Sequence, residues 1–189
     1  MAIHSHAEFD PSSNTSTEEG LQKVLHRLVN KMQRDALIRQ TTTQLREHLQ
    51  VDRVVLYYFY WQWHGQVTLE AVSSERFSIL GSTGQDECFN EQYAALYLAG
   101  RIKAIADIET APITPCHRDF LRNLQVRANL VAPILTNRQL WGLLVAHHCQ
   151  GTHIWSQLDI ELIQVAAQTL ATSPYILGER EKGKGNREQ

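Results

Sequence analysis

Two pairs of short apolar segments restrict the fold of this chain more than any other feature. Residues 52–60 and 66–72 form the first pair, and residues 126–135 and 139–148 form the second. The segments are rich in β-branched and aromatic residues, and only a few turn residues separate the members of each pair. Such runs predict antiparallel hairpins. We therefore expect an antiparallel sheet with one hairpin near each end of its core.

Two long helical stretches flank the hairpins. Thr17 can cap a helix whose apolar residues recur mostly at three- and four-residue steps, and a less regular interval at 33–43 allows a break in it. After the second hairpin, Ser156 is the expected cap of an amphipathic helix, which Pro174 is expected to disrupt.

The segment between the hairpins mixes a loop, helices and a strand. Residues 73–85 show neither helical nor strand periodicity, and a loop of this length in a compact domain is often functional. Residues 90–100 and 118–124 are helix-like, and residues 101–108 alternate as a strand. Strands and helices in this order predict an α+β domain, with a central antiparallel β-sheet, helices packed on it and long N- and C-terminal helices.

Composition places this domain between two polar ends. The chain has 189 residues, 43% of them apolar, and a formal net charge of -2. We expect a disordered leader at 1–17, one folded domain at 18–175 and a charged flexible tail at 176–189. The near-neutral charge argues against a nucleic-acid partner, and no apolar run reaches the roughly 18 residues of a membrane span. A polar N-terminus unlike a signal peptide favours the cytoplasm.

Two cysteines with polar neighbours are the candidate reactive groups. Asp86 lies two residues before Cys88, and His117 follows Cys116 directly. A thiolate is favoured near a helix N-terminus or a protonated imidazole, and Cys116 opens the helix-like run 118–124. Three cysteines are too few for a disulfide framework, so reduced thiols are expected. From position alone, both residues could equally be small buried apolar side chains.

Five segments carry recognisable motifs: Asp86-Glu87-Cys88-Phe89, Tyr97-Leu98-Ala99-Gly100-Arg101-Ile102-Lys103-Ala104-Ile105, Thr114-Pro115-Cys116-His117, residues 126–134 and residues 140–148. In consistent order over residues 20–172, they resemble the GAF domains of cyanobacteriochromes, which are bilin-binding photoreceptors related to phytochromes. The pattern Asp-Xaa-Cys-Phe at residues 86–89 lies upstream of Cys116-His117, so the chain looks like the two-cysteine, or DXCF, type.

The resemblance implies roles for the matching residues. Cys116 would anchor the bilin through a permanent thioether to its A ring, and His117 would pack beside the pyrroles. Cys88 would add reversibly to the central methine bridge and shorten the conjugated system. Asp86 would accept hydrogen bonds from pyrrole N–H groups.

The bilin propionates need cationic or hydroxyl partners. The candidates in the matching segments are Tyr97, Arg101, Lys103, Arg127 and the pair His147 and His148. His147 is the better of the two histidines, because the family usually keeps a histidine there near the D ring. The aromatic residues Tyr57, Phe59, Trp61 and Trp63 are expected to be strand core or turn cover and not a cofactor site, and Cys149 is expected to be inert.

The function implied is a light sensor that binds phycocyanobilin, or its isomer phycoviolobilin, and photoconverts by Z/E isomerisation at the C–D methine. It would catalyse nothing beyond its own bilin attachment and isomerisation. Its partners would be the covalent bilin chromophore and an output signalling domain or partner protein, with a homodimer also possible. The remaining alternatives are a GAF domain that binds a small effector such as a cyclic nucleotide, a single-cysteine red/green photoreceptor, and a zinc site for which the spacing is weak.

Overall fold

The computed structural model describes residues 12–61, 63–84, 91–137 and 139–178. Six α-helices, five strands and one short 3₁₀ helix lie within these ranges. They follow one another as α1 Ser12–Arg34, α2 Ala36–Leu49, β1 Arg53–Trp61, β2 His64–Val72, the 3₁₀ helix Glu75–Phe77, α3 Glu91–Leu98, β3 Lys103–Ile105, α4 Pro115–Asn123, β4 Ala128–Thr136, β5 Gln139–His148, α5 Gln157–Leu170 and α6 Pro174–Gly178.

The five strands form one antiparallel sheet in the order β2-β1-β5-β4-β3. Both predicted hairpins are confirmed, as β1 with β2 and β4 with β5. The hairpins join where β1 pairs with β5, with Val55 opposite Val145. β5 is therefore the central strand, and its residues from Leu140 to His147 are all buried. The predicted α+β architecture is confirmed.

The two faces of the sheet have different neighbours. On β5, Leu144 and Ala146 belong to a large core cluster that also contains residues of α1, α2 and α5. Val145, which alternates with them, belongs to a second cluster with Val131 of β4 and Tyr97 of α3. Because successive strand residues point to opposite faces, one face of the sheet carries the main core and the other faces α3 and α4.

Polar caps define the ends of the helices on the core face. Asp35 interrupts the predicted N-terminal helix, and its Oδ1 accepts a hydrogen bond of 2.9 Å from the amide of Leu37 at the start of α2. Its Oδ2 accepts a bond of 2.7 Å from the buried hydroxyl of Ser173, which follows α5. At the other end of α5, Ser156 and Asp159 form a capping box, as the predicted cap required.

Some boundaries differ from the predicted ones. Helix α1 begins at Ser12, inside the stretch expected to be disordered, while residues 1–11 and 179–189 lie outside the described residues. Pro174 does not break α5, which has already ended at Leu170; it begins α6, because the first turn of a helix tolerates a residue without an N–H. The predicted strand at 101–108 shortens to β3.

We predict that Gly142→Ala destabilises the fold. Gly142 lies in β5 opposite Tyr58 of β1, and a Cβ there would overlap the backbone carbonyl of Tyr57. Overpacking of this kind costs about 1–3 kcal/mol, and here rigid backbone makes the contact. Gly20→Ala at an exposed position of α1 is the matched control, since no atom lies within 4 Å of a Cβ built there. The control should gain about 0.5–1 kcal/mol. Equal urea midpoints for both variants would contradict the prediction.

Candidate functional site

A pocket of about 370 Å³ opens between the sheet and helices α3 and α4. Its floor consists of apolar residues of the central strands, among them Val55, Val131 and Val145, and its wall includes Tyr97 of α3 and Phe120 of α4. Small-molecule sites are typically concave, mostly apolar and a few hundred Å³ in volume. The pocket is thus the candidate binding site among the residues that the structure describes.

Aromatic rings form one side of this pocket. Tyr57, Phe59 and Trp63 all line it. Tyr57 meets Phe59 edge to face with ring centroids 5.3 Å apart, and Phe59 meets Trp63 in the same way at 5.8 Å. The expected place in the strand core is confirmed for Phe59, which is buried in a core cluster against which Tyr57 and Trp63 pack, but all three rings also line the pocket. Their alternation on the strand could have shown that they share a face, but not that this face is left open.

The Cys116-His117 pair lies in the first turn of α4. Thr114 caps this helix by accepting a bond of 3.3 Å from the amide of His117, and Pro115 occupies the first helical position. Cys116 is half-buried and lies next to pocket-lining His117, although it is not itself among the lining residues. The expectation of a reduced thiol stays a prediction for Cys116.

His117 is a neutral partner for whatever occupies the pocket. Burial, together with the nearby charge of Lys103, lowers the pKa of its imidazole. A neutral imidazole cannot stabilise a thiolate as an imidazolium would. The N-terminus of α4 is therefore the remaining group expected to favour the thiolate of Cys116. Cys149 is a free thiol whose pKa is raised by burial, consistent with the expected inert residue.

Two cations line the pocket near its β3 side. Arg101 and Lys103 both contribute to the lining, and no ion-pair partner for either is found among the described residues. Burial and the charge of Arg101 lower the pKa of Lys103. Two neighbouring cations without a counter-ion favour an anionic ligand group such as a carboxylate.

Two other predicted ligands of the propionates have different surroundings. Arg127 does not line the pocket, and its Nη2 donates a bond of 3.0 Å to Oδ2 of Asp107. It would have to leave this ion pair to reach a ligand. Tyr97 does line the pocket, and burial raises the pKa of its phenol to about 12, so that the hydroxyl keeps its proton.

His147 lines the pocket, whereas His148 does not. Alternation on β5 explains the difference, because the two neighbours point to opposite faces of the sheet. His148 instead contacts the carbonyl of Gly151 through Nδ1 at 2.8 Å. His147 is fully buried, and burial together with the charge of Arg53 lowers its pKa well below the usual value. It is therefore a neutral imidazole at the inner end of the pocket.

Asp86 and Cys88 lie outside the described residues, which stop at Gly84 and resume at Glu91. The chain that leads to them is attached to the pocket. The amide of Gly84 donates a bond of 2.8 Å to the hydroxyl of Tyr57, and Ser82 and Thr83 are lining residues. A Cβ at Gly84 would meet the Tyr57 hydroxyl, so a glycine is needed for this approach.

Two polar residues of the site were missed at the level of sequence. Arg53 is buried at the start of β1, and Asn129 of β4 lines the pocket. Each lies in a segment that was read as an apolar strand. A charged or amide residue inside such a strand indicates a candidate site residue, because a buried polar group needs a partner.

Neither a metal site nor a membrane span is visible in the described part of the chain. Within it, no group of three or more histidine, cysteine or acidic residues could hold a metal ion. The same residues include no helix that combines the length and the apolar character needed to cross a membrane.

Residues 33–173 match the GAF domain family. The chain therefore belongs to the GAF domain family. Among solved structures of this fold, the cyanobacteriochrome receptor PixJ, studied in dark and steady-state-illuminated forms, superposes with a TM-score of 0.69 and 35% identity, over 76% of this chain and 95% of that chain. The blue-light absorbing form of the Thermosynechococcus elongatus PixJ GAF domain gives a TM-score of 0.66 and 34% identity, over 76% and 87% of the two chains. A phycocyanobilin-bound GAF domain from a cyanobacterial phytochrome gives 0.65 and 30%, over 79% and 91%.

Relatives in sequence occur alone and within larger proteins. An uncharacterized protein of Picosynechococcus sp. (strain ATCC 27264 / PCC 7002 / PR-6) is 51% identical over 154 residues, which are 82% of this chain and 94% of that protein. A putative methyl-accepting chemotaxis protein of Synechocystis sp. (strain ATCC 27184 / PCC 6803 / Kazusa) is 44% identical over 119 residues, 63% of this chain but 12% of that protein. The structural neighbours of this chain are bilin-binding GAF domains of cyanobacteriochromes and phytochromes.

We predict that acid weakens the fold partly through His147. The pKa of this imidazole is lowered by burial and by Arg53, whereas the unfolded chain titrates near the ordinary value of 6.5. Below that value the unfolded chain binds more protons than the folded protein, so the free energy of unfolding falls as the pH is lowered from about 7 to about 5. His147→Gln should lose less stability over this range in urea titrations. An identical loss in both proteins would contradict the assignment.

Proposed function

We propose that this chain is a bilin-binding photoreceptor domain in which Cys116 carries the chromophore. The observation that carries the proposal is the position of the Cys116-His117 pair, at the capped start of a helix that forms one wall of a large aromatic pocket. A GAF domain that binds a freely diffusing effector has no use for a cysteine there. When bound, the linear tetrapyrrole supplies the conjugated system that absorbs visible light.

The residues of the pocket match the chemistry of such a ligand. The long conjugated chain suits the apolar floor and the rings of Tyr57, Phe59 and Trp63. Its two propionates suit the cations Arg101 and Lys103. The orphaned Oδ1 of Asn129, which is buried without a partner among the described residues, offers an acceptor for a ligand N–H.

Covalent attachment needs only the thiol of Cys116 and a proton. The thiol of Cys116 would supply the sulfur of a thioether to the ethylidene carbon of the A ring, and its proton would go to the neighbouring carbon. The addition is redox-neutral and needs no second substrate. The positive end of the α4 dipole favours the thiolate at this position, and His117 would lie beside the ring system as a neutral group.

The two-cysteine photocycle is the finer part of the proposal. Gly84 is held at the pocket by Tyr57, and Cys88 follows it by only four residues in the sequence, which supports a role for Cys88 as the second thiol. Cys88 would add reversibly to the central methine, and Asp86 would accept hydrogen bonds from pyrrole N–H groups. Phycocyanobilin, with possible isomerisation to phycoviolobilin, is the proposed pigment. The similarity to the blue-light absorbing form of the PixJ GAF domain favours the two-cysteine type over the single-cysteine type.

Signalling output is proposed to come from another domain or partner protein. The chemotaxis relative is about eight times as long as the segment it shares with this chain, since that segment is 12% of it. A sensory module of this kind has no turnover substrate, so no enzymatic reaction is proposed beyond attachment and isomerisation of the bilin. We place the protein in the cytoplasm and propose neither nucleic acid nor membrane as a partner.

We predict that Cys116→Ala abolishes covalent pigment. The reduced protein is loaded with phycocyanobilin and then denatured, because a thioether survives denaturation whereas a non-covalent complex does not. The wild-type protein should retain colour on a denaturing gel, and the variant should lose all of it. Cys149→Ala removes a free thiol that does not line the pocket and is the matched control. Pigment retained by Cys116→Ala at the level of this control would refute the anchor.

We predict that Cys88→Ala removes the short-wavelength state while the pigment stays attached. The second thioether interrupts the conjugated system, so without it both light states should absorb at long wavelength. Absorption spectra of both light states test this. A blue or violet state that persists in the variant would favour the single-cysteine alternative. A colourless wild-type protein that binds zinc or a cyclic nucleotide would overturn the photoreceptor proposal itself.

A further inference from the structure

Tyr57 of β1 is approached by glycines from three separate segments. A Cβ at Gly65 of β2 would overlap the ring of the tyrosine. A Cβ at Gly84, in the loop after β2, would overlap its hydroxyl, and one at Gly142 of β5 would overlap its backbone carbonyl. Each of the three segments thus lacks a side chain at the point where it meets this one tyrosine, and only glycine allows so close an approach.

The hydroxyl of Tyr57 bonds to two of these segments. It donates a hydrogen bond of 2.7 Å to the carbonyl of Gly65 and accepts one of 2.8 Å from the amide of Gly84. A phenol has a single O–H to donate, and here that proton goes to the protein backbone. Tyr57 therefore lines the pocket with its ring, while its O–H proton is committed to the chain.

The phenol reaches Gly84 by crossing β2, which is an edge strand of the sheet. Residues 81–83 follow the outer side of this strand, where the amide of Val67 donates to the carbonyl of Ser82 at 2.9 Å. Strands lie about 4.8 Å apart, so two strand spacings, about 9.6 Å, separate β1 from this outer segment. Because Gly65 has no side chain, the phenol can pass over β2 and cover that distance.

Gly84 is the last described residue before Cys88, which follows it by four residues in the sequence. A chain of four residues spans at most about 14 Å, so the position of Gly84 limits the space that the Cys88 thiol can reach. The effective concentration of a tethered group rises as its tether becomes shorter. Without the bond from Tyr57, the nearest bonded residue of the loop would be Ser82, two residues further from the thiol.

We propose that Tyr57 is a positioning residue for the reversible thioether of Cys88. Its hydroxyl holds Gly84 beside β2 and so fixes the start of the segment that carries this thiol. In the assisted step the Cys88 sulfur would bond to the central methine carbon, and the thiol proton would go to an unprotonated ring nitrogen. The addition is redox-neutral, and elimination reverses it. This role rests on the proposed function, whereas the hydrogen bond is a property of the protein alone.

The hydrogen bond is tested by NMR measurement of amide exchange on the bilin-free protein. Tyr57→Phe keeps the ring and removes the hydroxyl, so the Gly84 amide should exchange about five- to tenfold faster than in the wild type. The Gly81 amide bonds to the carbonyl of Val67 at 2.9 Å and should keep its protection, which makes it the internal control. Unchanged exchange at Gly84, or equal losses of protection at both glycines, would overturn the proposal.

The positioning role is tested in the bilin-loaded protein by two rates measured on each variant. One is pigment attachment through Cys116, and the other is formation of the short-wavelength state after illumination. Tyr57→Phe should slow the second rate at least about twofold more than the first. The factor follows from a tether that grows from four residues to six, because effective concentration falls with about the −3/2 power of tether length.

Ser78→Ala is the matched control, because it removes a hydroxyl bond to Glu70 from the same loop but leaves the bonds of residues 81–84 in place. It should change neither rate. If Tyr57→Phe slowed both steps equally, or left the short-wavelength state to form at the wild-type rate, the positioning role would be overturned. A wild-type protein that takes up no bilin would instead refute the proposed function and the thioether role with it, while the amide-exchange result would still stand.

Discussion

The central position of β5 is the constraint on which the other features depend. Its neighbours β1 and β4 belong to different hairpins, so the sheet exists only because β5 pairs with both. Gly142 lets the backbone of β1 approach, since any Cβ there would meet the carbonyl of Tyr57. With both faces of β5 buried, one can be filled by the helices of the core while the other forms the floor of a pocket.

Burial of charge links this sheet to the site. Arg53 satisfies its donors with two backbone carbonyls and one histidine, each from a different segment. A buried group that loses its partner costs about 1–3 kcal/mol, and more if it is charged, so these three segments are held in one arrangement. Asp52, its neighbour in the chain, similarly accepts a bond of 2.6 Å from the amide of Cys149 just after β5. Polar groups at the base of β1 therefore orient the pocket as well as stabilise it.

The helix α4 combines local and long-range effects. Its start is set by Thr114 and Pro115, which are local signals. Its pocket face carries His117 and Phe120, which line the pocket together with strand residues that are far away in the sequence. The reactivity of Cys116 depends on both, because the helix end supplies the electrostatic bias and the pocket supplies the ligand. The neutral state of His117 follows from burial and from Lys103, and so could not be anticipated from its adjacency to Cys116.

Local patterns in the sequence determined the hairpins, the cap at Ser156 and the α+β class, because strand periodicity and capping depend on residues a few positions apart. The cysteine pair and the candidate cations could also be identified from the sequence, since their motifs are contiguous. Only the tertiary structure decided which residues meet across the sheet. It separated His147 from His148, turned Arg127 toward Asp107 and exposed Tyr57, Phe59 and Trp63 to the pocket. It also brought Arg53 to His147, 94 residues away along the chain. Such contacts depend on strand order and helix placement, which short-range patterns do not encode.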